Sequence, residues 1–390
     1  MGYAKTLGSG LVAALAVLSI SSGAAAQALP LFLGPGTPHV VTGPEAHAVT
    51  SFGGTIDIQA PGGAFTFLGS SLNAGSIGNG GALIVDSSAT LDNYAAITSS
   101  GALTNNGTLN NESGATLTSG GTFTNTGNLY NQAGGTLIND GTLTNSASVY
   151  NYGSLANSGT LTSNQTFFND GTIENSGDVT VGAYGILYGN GTGSFIQTAG
   201  SLTVDGQMFQ GPLTIAGGTL GGSGLIGGDV TVDGGTVGPG NSPGLLYLFG
   251  DIDLLAGSTF AAELGGLAFG TGYDRLDVYG TAALAAGTMF DIDFFGAFTA
   301  GLGDTFDVLV ADDIQAALLS TMLFDFTGAA LGSGLAWDFG IVDFGGGRDA
   351  LRLSVVEGAI AAVPAPGATL LFGLGLAGLA CARRVRRRAV

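Results

Sequence analysis

From Leu103 to Val179 the apolar residues of this chain recur at 103, 109, 117, 123, 129, 137, 143, 149, 155, 161, 167, 173 and 179. The repeated phrase is Gly-Thr-Leu-Thr-Asn-x. Ten of the twelve steps are six residues long. The two exceptions, 109 to 117 and 129 to 137, are steps of eight and lie twenty residues apart. If three hexads close one coil, both insertions fall at the same corner of successive coils, and the coils are 20, 20, 18 and 18 residues long. The pattern therefore predicts an all-β chain built as a three-sided parallel β-helix. Each hexad is a short strand plus a corner, and like positions stack at the strand spacing of ~4.8 Å.

Three inward columns follow. Side one stacks Leu103, Phe123, Leu143, Leu161 and Val179. Side two stacks Leu109, Leu129, Val149 and Phe167, and side three Leu117, Leu137, Leu155 and Ile173. Two residues after ten of the thirteen apolar positions stands Asn, at 105, 111, 125, 131, 139, 145, 151, 157, 169 and 175. Asn tolerates left-handed backbone and hydrogen-bonds its neighbours up a stack, so the expectation is Asn at the corner, with the Gly that often follows serving the same turn.

The outward positions differ by side. Side one presents Thr122, Thr142 and Thr160 in one column and Thr124, Thr144 and Thr162 in the other, so three successive coils carry Thr-x-Thr. Exposed strands favour Thr in any case. Flat Thr-x-Thr arrays also resemble those of antifreeze proteins, with hydroxyls ~4.8 Å apart between coils and ~6.7 Å along the strand. Side two presents Asn110, Tyr130, Tyr150 and Phe168, a partly aromatic column able to stack on sugar rings or simply to pack.

After Val179 the hexads loosen into Gly-rich strands. Gly218 to Val232, followed by Val237-Gly-Pro-Gly-Asn-Ser-Pro-Gly244, resembles the passenger-associated repeat of autotransporters. That resemblance covers roughly residues 101–311 and implies a right-handed parallel β-helix, the hand usual for parallel crossovers. This chain lacks the long outer-membrane barrel segment of that family. Residues 245–357 alternate apolar and polar and read as longer antiparallel or cap strands, with a short helix over Gln315–Leu323. Residues 29–100 hold a few strands (Gly54–Gln59, Ala64–Leu68, Ala82–Val85) and read as an N-terminal cap.

The two ends address the chain. Lys5, the apolar run Leu11–Ile20 and cleavage sites after Ala26 or Ala28 make a signal peptide, with an N-terminal membrane anchor as the alternative. Gly367–Ala382 is an uncharged apolar stretch of helix length, slightly short of the ~20 residues that span a bilayer. Arg383, Arg384, Arg386, Arg387 and Arg388 follow it and would stay cytoplasmic. With Val363, Pro364, Ala365 and Pro366 in front, this tail resembles the PEP-CTERM sorting signal of Gram-negative bacteria, where Glu usually stands in place of Ala365. The resemblance implies removal by an exosortase-type protease after transient tethering to the inner membrane. A plain C-terminal anchor is the alternative. The chain then divides into 1–28 signal peptide, 29–100 N-terminal β cap, 101–244 parallel β-helix, 245–357 C-terminal β region and 358–390 sorting tail.

Composition narrows the function. All 28 acidic residues lie between Glu45 and Glu357, a span with only three basic residues, Arg275, Arg348 and Arg352. That charge excludes nucleic acid and anionic lipid as partners. The single cysteine, Cys381, lies in the tail, so the exported part has no disulfide. No cofactor or metal is expected. His39 and His47 stand near the mature N-terminus without obvious partners, no glycine run carries the Lys of a phosphate loop, and no Cys pair binds zinc. Asp170, Glu174 and Asp178 at consecutive corners are carboxylates of the kind glycosidases use, but solvated turn acids explain them better. Asp251, Asp253, Asp291 and Asp293 read as the exposed face of alternating strands rather than a calcium site. The sequence points to an exported, non-enzymatic structural or adhesive protein of the cell surface or biofilm matrix. The alternatives are an ice- or carbohydrate-binding β-helix and, behind it, a matrix polysaccharide-degrading enzyme.

Overall fold

The computed structural model describes residues 31–34, 36, 38–51, 53–316 and 319–358. The signal peptide and the whole sorting tail, Val363–Pro366 and the arginine cluster included, lie outside the described residues. Among the described residues, no helix is long and apolar enough to cross a membrane.

The hexads form four-residue strands that pair parallel, each with the strand one coil away. On side one, Leu103 pairs with Phe123, then Leu143, Leu161 and Val179. Leu109, Leu129, Val149 and Phe167 stack on side two, and Leu117, Leu137, Leu155 and Ile173 on side three. All of these side chains are buried. Alternation does this: in a strand, successive side chains face opposite ways, so one apolar residue per hexad fills the interior. The two eight-residue steps form one corner, where Gly114 and Gly134 take left-handed backbone and the Gly114 N–H donates to the Gly134 carbonyl at 2.9 Å.

Asparagine is not at the corner. It is the last, inward-facing residue of its strand, fully buried, and it has no left-handed backbone; among the described non-glycine residues only Ser242 does. The ladder itself is present. On side two, Nδ2 donates to the Oδ1 above from Asn73 to Asn93, Asn111, Asn131, Asn151 and Asn169 at 2.6–2.8 Å. The same Nδ2 donates to a backbone carbonyl of the next coil, as Asn131 does to Ser154 at 2.9 Å. Each amide thus satisfies itself in a dry interior and ties two coils together. Where a ladder begins, one acceptor is orphaned: Asn105 follows Val85 and Asn139 follows Ser119, and both Oδ1 atoms are buried without a donor.

The glycine at the corner from side three to side one has a different cause from the one expected. Gly101, Gly121, Gly141, Gly159 and Gly177 stack with the carbonyl below so close that a Cβ on Gly141 would sit 2.1 Å from the Gly121 oxygen. Close approach, not positive φ, excludes a side chain there. At the corner from side one to side two Gly107 and Gly127 are packed as closely, but Ala147 and Gln165 take the equivalent place in later coils.

Two regions differ from expectation. Coils begin well before residue 101: Ala82–Val85 continues Ala64–Phe67 and leads to Ala102–Asn105 in unbroken parallel register. Beyond residue 245 the strands continue the helix rather than turn antiparallel. Thr259–Leu264 pairs parallel with Met289–Phe294, and Arg275–Leu284 pairs with both Leu245–Phe249 of side two and Ile252–Leu254 of side three. That long strand bends the corner and joins the two sides into one 28-stranded sheet, beside the 14 strands of side one. Among the described strands, only the final hairpin, Leu335–Gly345 with Arg348–Glu357, and its pairing to Thr305–Ala316 are antiparallel. The helix expected over Gln315–Leu323 is absent from its described residues; strand runs to Ala316 and a single 3-10 turn covers Leu319–Thr321. Trp337 closes this end, packing on Phe306 and Phe326 and donating its indole N–H to the Ala329 carbonyl at 2.9 Å.

Candidate binding faces

Pairing in register turns sequence columns into surface stripes. On side one, Thr122, Thr142 and Thr160 line up and are exposed; Thr124, Thr144 and Thr162 line up beside them and are half-buried. The second column extends through Thr104, Thr180 and Thr203. The first is bounded by Ala102 and Asp178, so the paired array spans three coils.

Side two carries the longer feature. Tyr130, Tyr150, Phe168, Tyr188 and Phe209 occupy one outward column. Gly227 comes next and Phe249 follows it; the ring of Phe209 lies over Gly227, where a Cβ would meet it at 2.4 Å. Tyr279 completes the run and stacks on Phe249 at 4.5 Å with planes 4° apart. At the other end Tyr130 and Tyr150 stack at 4.7 Å and 8°. Phe168 meets Tyr150, Tyr152 and Tyr188 at 5.2–6.3 Å in tilted and edge-to-face contacts. In the parallel stacks the rings spend their faces on one another and turn their edges outward. The other outward positions of these strands are Thr108, Asn128, Ser148, Thr166, Ile186, Gln207, Leu225 and Tyr247, so no charge appears on side two from Thr108 to Phe249.

The sequence shows this column only as far as Phe168. Beyond it the coils lengthen unevenly, and Tyr188, Phe209, Phe249 and Tyr279 fall at no fixed interval. The surviving signal is local: an outward aromatic directly after a buried apolar residue, as in Leu187-Tyr188, Met208-Phe209, Leu248-Phe249 and Val278-Tyr279.

The charged groups are committed elsewhere. Arg348 stacks over Tyr279 at 4.6 Å and bonds Asp312 at 3.1 Å and the Val278 carbonyl at 2.7 Å. Arg275 pairs with Asp277 over the Phe269 ring. Arg352 grips Asp307 with two bonds at 2.6 and 2.9 Å. These three guanidiniums, the ones among the described residues, sit beyond residue 270 and are neutralised, leaving none on the described coils for a polyanion.

The three carboxylates weighed for catalysis do not share a site. Asp170 is at a corner, accepting from the Asn190 backbone N–H at 2.7 Å and its side chain at 3.0 Å. Glu174 is not at a corner but faces out mid-strand on side three. Asp178 begins a side-one strand and accepts from Ser201 at 2.7 Å. Asp251 accepts the Thr281 N–H at 2.7 Å. Asp291 stands beside Asp325, and burial together with its acidic neighbours Asp293 and Asp325 raises its pKa. In the same groove Asp274 is buried and accepts the Gly244 and Glu263 N–H groups at 2.6 and 2.9 Å; burial outweighs those bonds and pushes its pKa up to about 6. Among the described residues no cluster of His, Cys, Asp and Glu is arranged to hold a metal.

The histidines do have partners. His39 Nε2 lies 2.6 Å from Glu45 Oε2, with His47 Nε2 at 3.7 Å from the same oxygen. The three replace apolar residues inside the first coil and cover Phe65, so the core ends in a polar layer there.

The haemagglutinin repeat family matches three overlapping segments, residues 51–127, 103–166 and 152–238. Together they cover just under half of the chain and fall within the coils. No curated protein matches. Among solved structures, a TibC-catalyzed hyper-glycosylated TibA fragment covers 78% of this chain and 94% of its own, at 17% identity and a TM-score of 0.28, a superposition too poor to bear on function.

Proposed function

We propose that this chain is an exported, non-enzymatic structural or adhesive rod of the bacterial surface or biofilm matrix. The observation that carries the reading is the haemagglutinin repeat match, which falls on the stacked coils that present the Thr and aromatic columns. The chemistry agrees: Asp170, Glu174 and Asp178 do not share a site, and the described guanidiniums are paired. In this reading the signal peptide directs export from a Gram-negative cell. The tail tethers the chain to the inner membrane until an exosortase-type protease acts at Val363–Pro366. The expected result is a protein recovered from cell surface or medium whose mass lacks everything after about Val363, and which releases no new reducing ends from matrix polysaccharide. Glycan cleavage would overturn the non-enzymatic reading, and an intact C-terminus would overturn the sorting.

A second reading rests on the Thr-x-Thr register of side one: ice or a crystalline polysaccharide is bound across Thr122, Thr124, Thr142, Thr144, Thr160 and Thr162. Its test is ice recrystallisation by the protein and by the Thr124→Tyr, Thr144→Tyr double variant. Equal activity in the two removes it.

A further inference from the structure

We infer that the aromatic stripe of side two is where a second copy of this chain docks, rod against rod. The stripe is open to solvent: Phe209, Phe249 and Tyr279 are 42%, 47% and 43% exposed, and Tyr152 and Ile186 flank it at 39% each. Exposed apolar stripes of this length mark contact surfaces.

Three observations select a second copy. The first is charge. Two rods, each with 28 acidic residues against three basic ones between Glu45 and Glu357, repel one another on most approaches. The strands of side two from Thr108 to Phe249 have no charged outward residue, and the nearest carboxylates, Glu112 and Asp170, stand in the corner column with Tyr152, so over the strands the repulsion is least. The second is pitch. The ridges repeat once per coil, at ~4.8 Å. Only a surface with the same repeat can interdigitate with them along the whole stripe, and another copy has it by construction. The third is ring orientation. Tyr130 with Tyr150, and Phe249 with Tyr279, stack face to face. A pyranose needs a free ring face, and these pairs offer edges, so the column is better shaped for ridge-into-groove packing than for a sugar.

The size of the stripe sets the strength. Seven coil steps at ~4.8 Å and a four-residue strand at ~3.3 Å per residue give roughly 450 Å² per copy. That makes roughly 900 Å² in total, at the low end for specific interfaces. The pair is therefore reversible and dissociates on dilution. A two-fold contact is self-complementary, and Phe209 lies near the middle of the stripe. It meets its own counterpart whether the two-fold runs along the rods or across them.

The test uses the full chain with Cys381→Ser, comparing Phe209→Cys with Thr144→Cys on side one under mild oxidation. Covalent dimer from Phe209→Cys and little from Thr144→Cys is the expected result. No dimer, or equal yields from the two faces, overturns the inference. Sedimentation of a Tyr150→Asp, Phe249→Asp double variant provides the second measurement. Dimerisation should weaken at least tenfold while the thermal transition persists. A folded variant that dimerises as before, or a wild-type rod that stays monomeric and instead takes up neutral polysaccharide through these rings, contradicts it.

Discussion

Sides one and two are made by the same coils, share one core and one pitch, and differ only in what faces out. Side one shows paired threonines on three coils; side two shows rings on nearly every coil from Tyr130 to Tyr279. The difference separates two jobs. Inward residues and corner glycines decide whether coils stack, while outward residues decide what the stack can touch. Changes inside should therefore cost stability on any side, whereas changes outside should cost contact on one side only.

The largest effect is expected in the core. Leu143→Ala should lower unfolding free energy by about 2–5 kcal/mol, since a buried Leu leaves a cavity; denaturant titration reads it. Asn131→Ala should cost about 1–3 kcal/mol, because it strands the Asn111 donor and the Asn151 acceptor in a dry interior. A smaller loss, about 0.5–1.5 kcal/mol, is expected for Tyr150→Thr, which removes one stacked pair. The side-one change Thr124→Tyr should stay within about 0.5 kcal/mol of wild type. If it costs as much as Tyr150→Thr, the two faces are not the contrast described.

A pH effect sharpens the picture at the C-terminal groove. Asp274 has a folded pKa of about 6 against an ordinary 3.8. Its contribution to stability is fully present below 3.8 and lost as pH rises through about 6. The melting temperature should rise on acidification from pH 7 to pH 5, and Asp274→Asn should remove part of that rise.

Much of the hexad region was legible because strand length and corner length are both constant there. Columns, insertions and the Thr register follow from counting. Legibility fails where that constancy ends. The strand Arg275–Leu284 bends around a corner to serve two sides, which alternation alone cannot distinguish from an antiparallel cap strand. Asparagine was misplaced for a physical reason: a buried amide is costly alone and satisfied only by its neighbours in adjacent coils, a partnership no single hexad reveals. The rings beyond Phe168 escaped because uneven coil lengths carry Tyr188, Phe209 and Phe249 into one column without any regular interval. His39 and Glu45 likewise meet only once the first coil closes.

The most direct measurement sets matched double changes on the two faces and reads adherence and biofilm formation by cells making each form. Tyr150→Thr with Phe209→Thr removes rings from side two; Thr124→Tyr with Thr144→Tyr adds rings to side one. Both proteins should reach the surface in equal amounts. The prediction is reduced adherence for the side-two pair and unchanged adherence for the side-one pair. Unchanged adherence for the side-two pair, or a loss confined to the side-one pair, would contradict it.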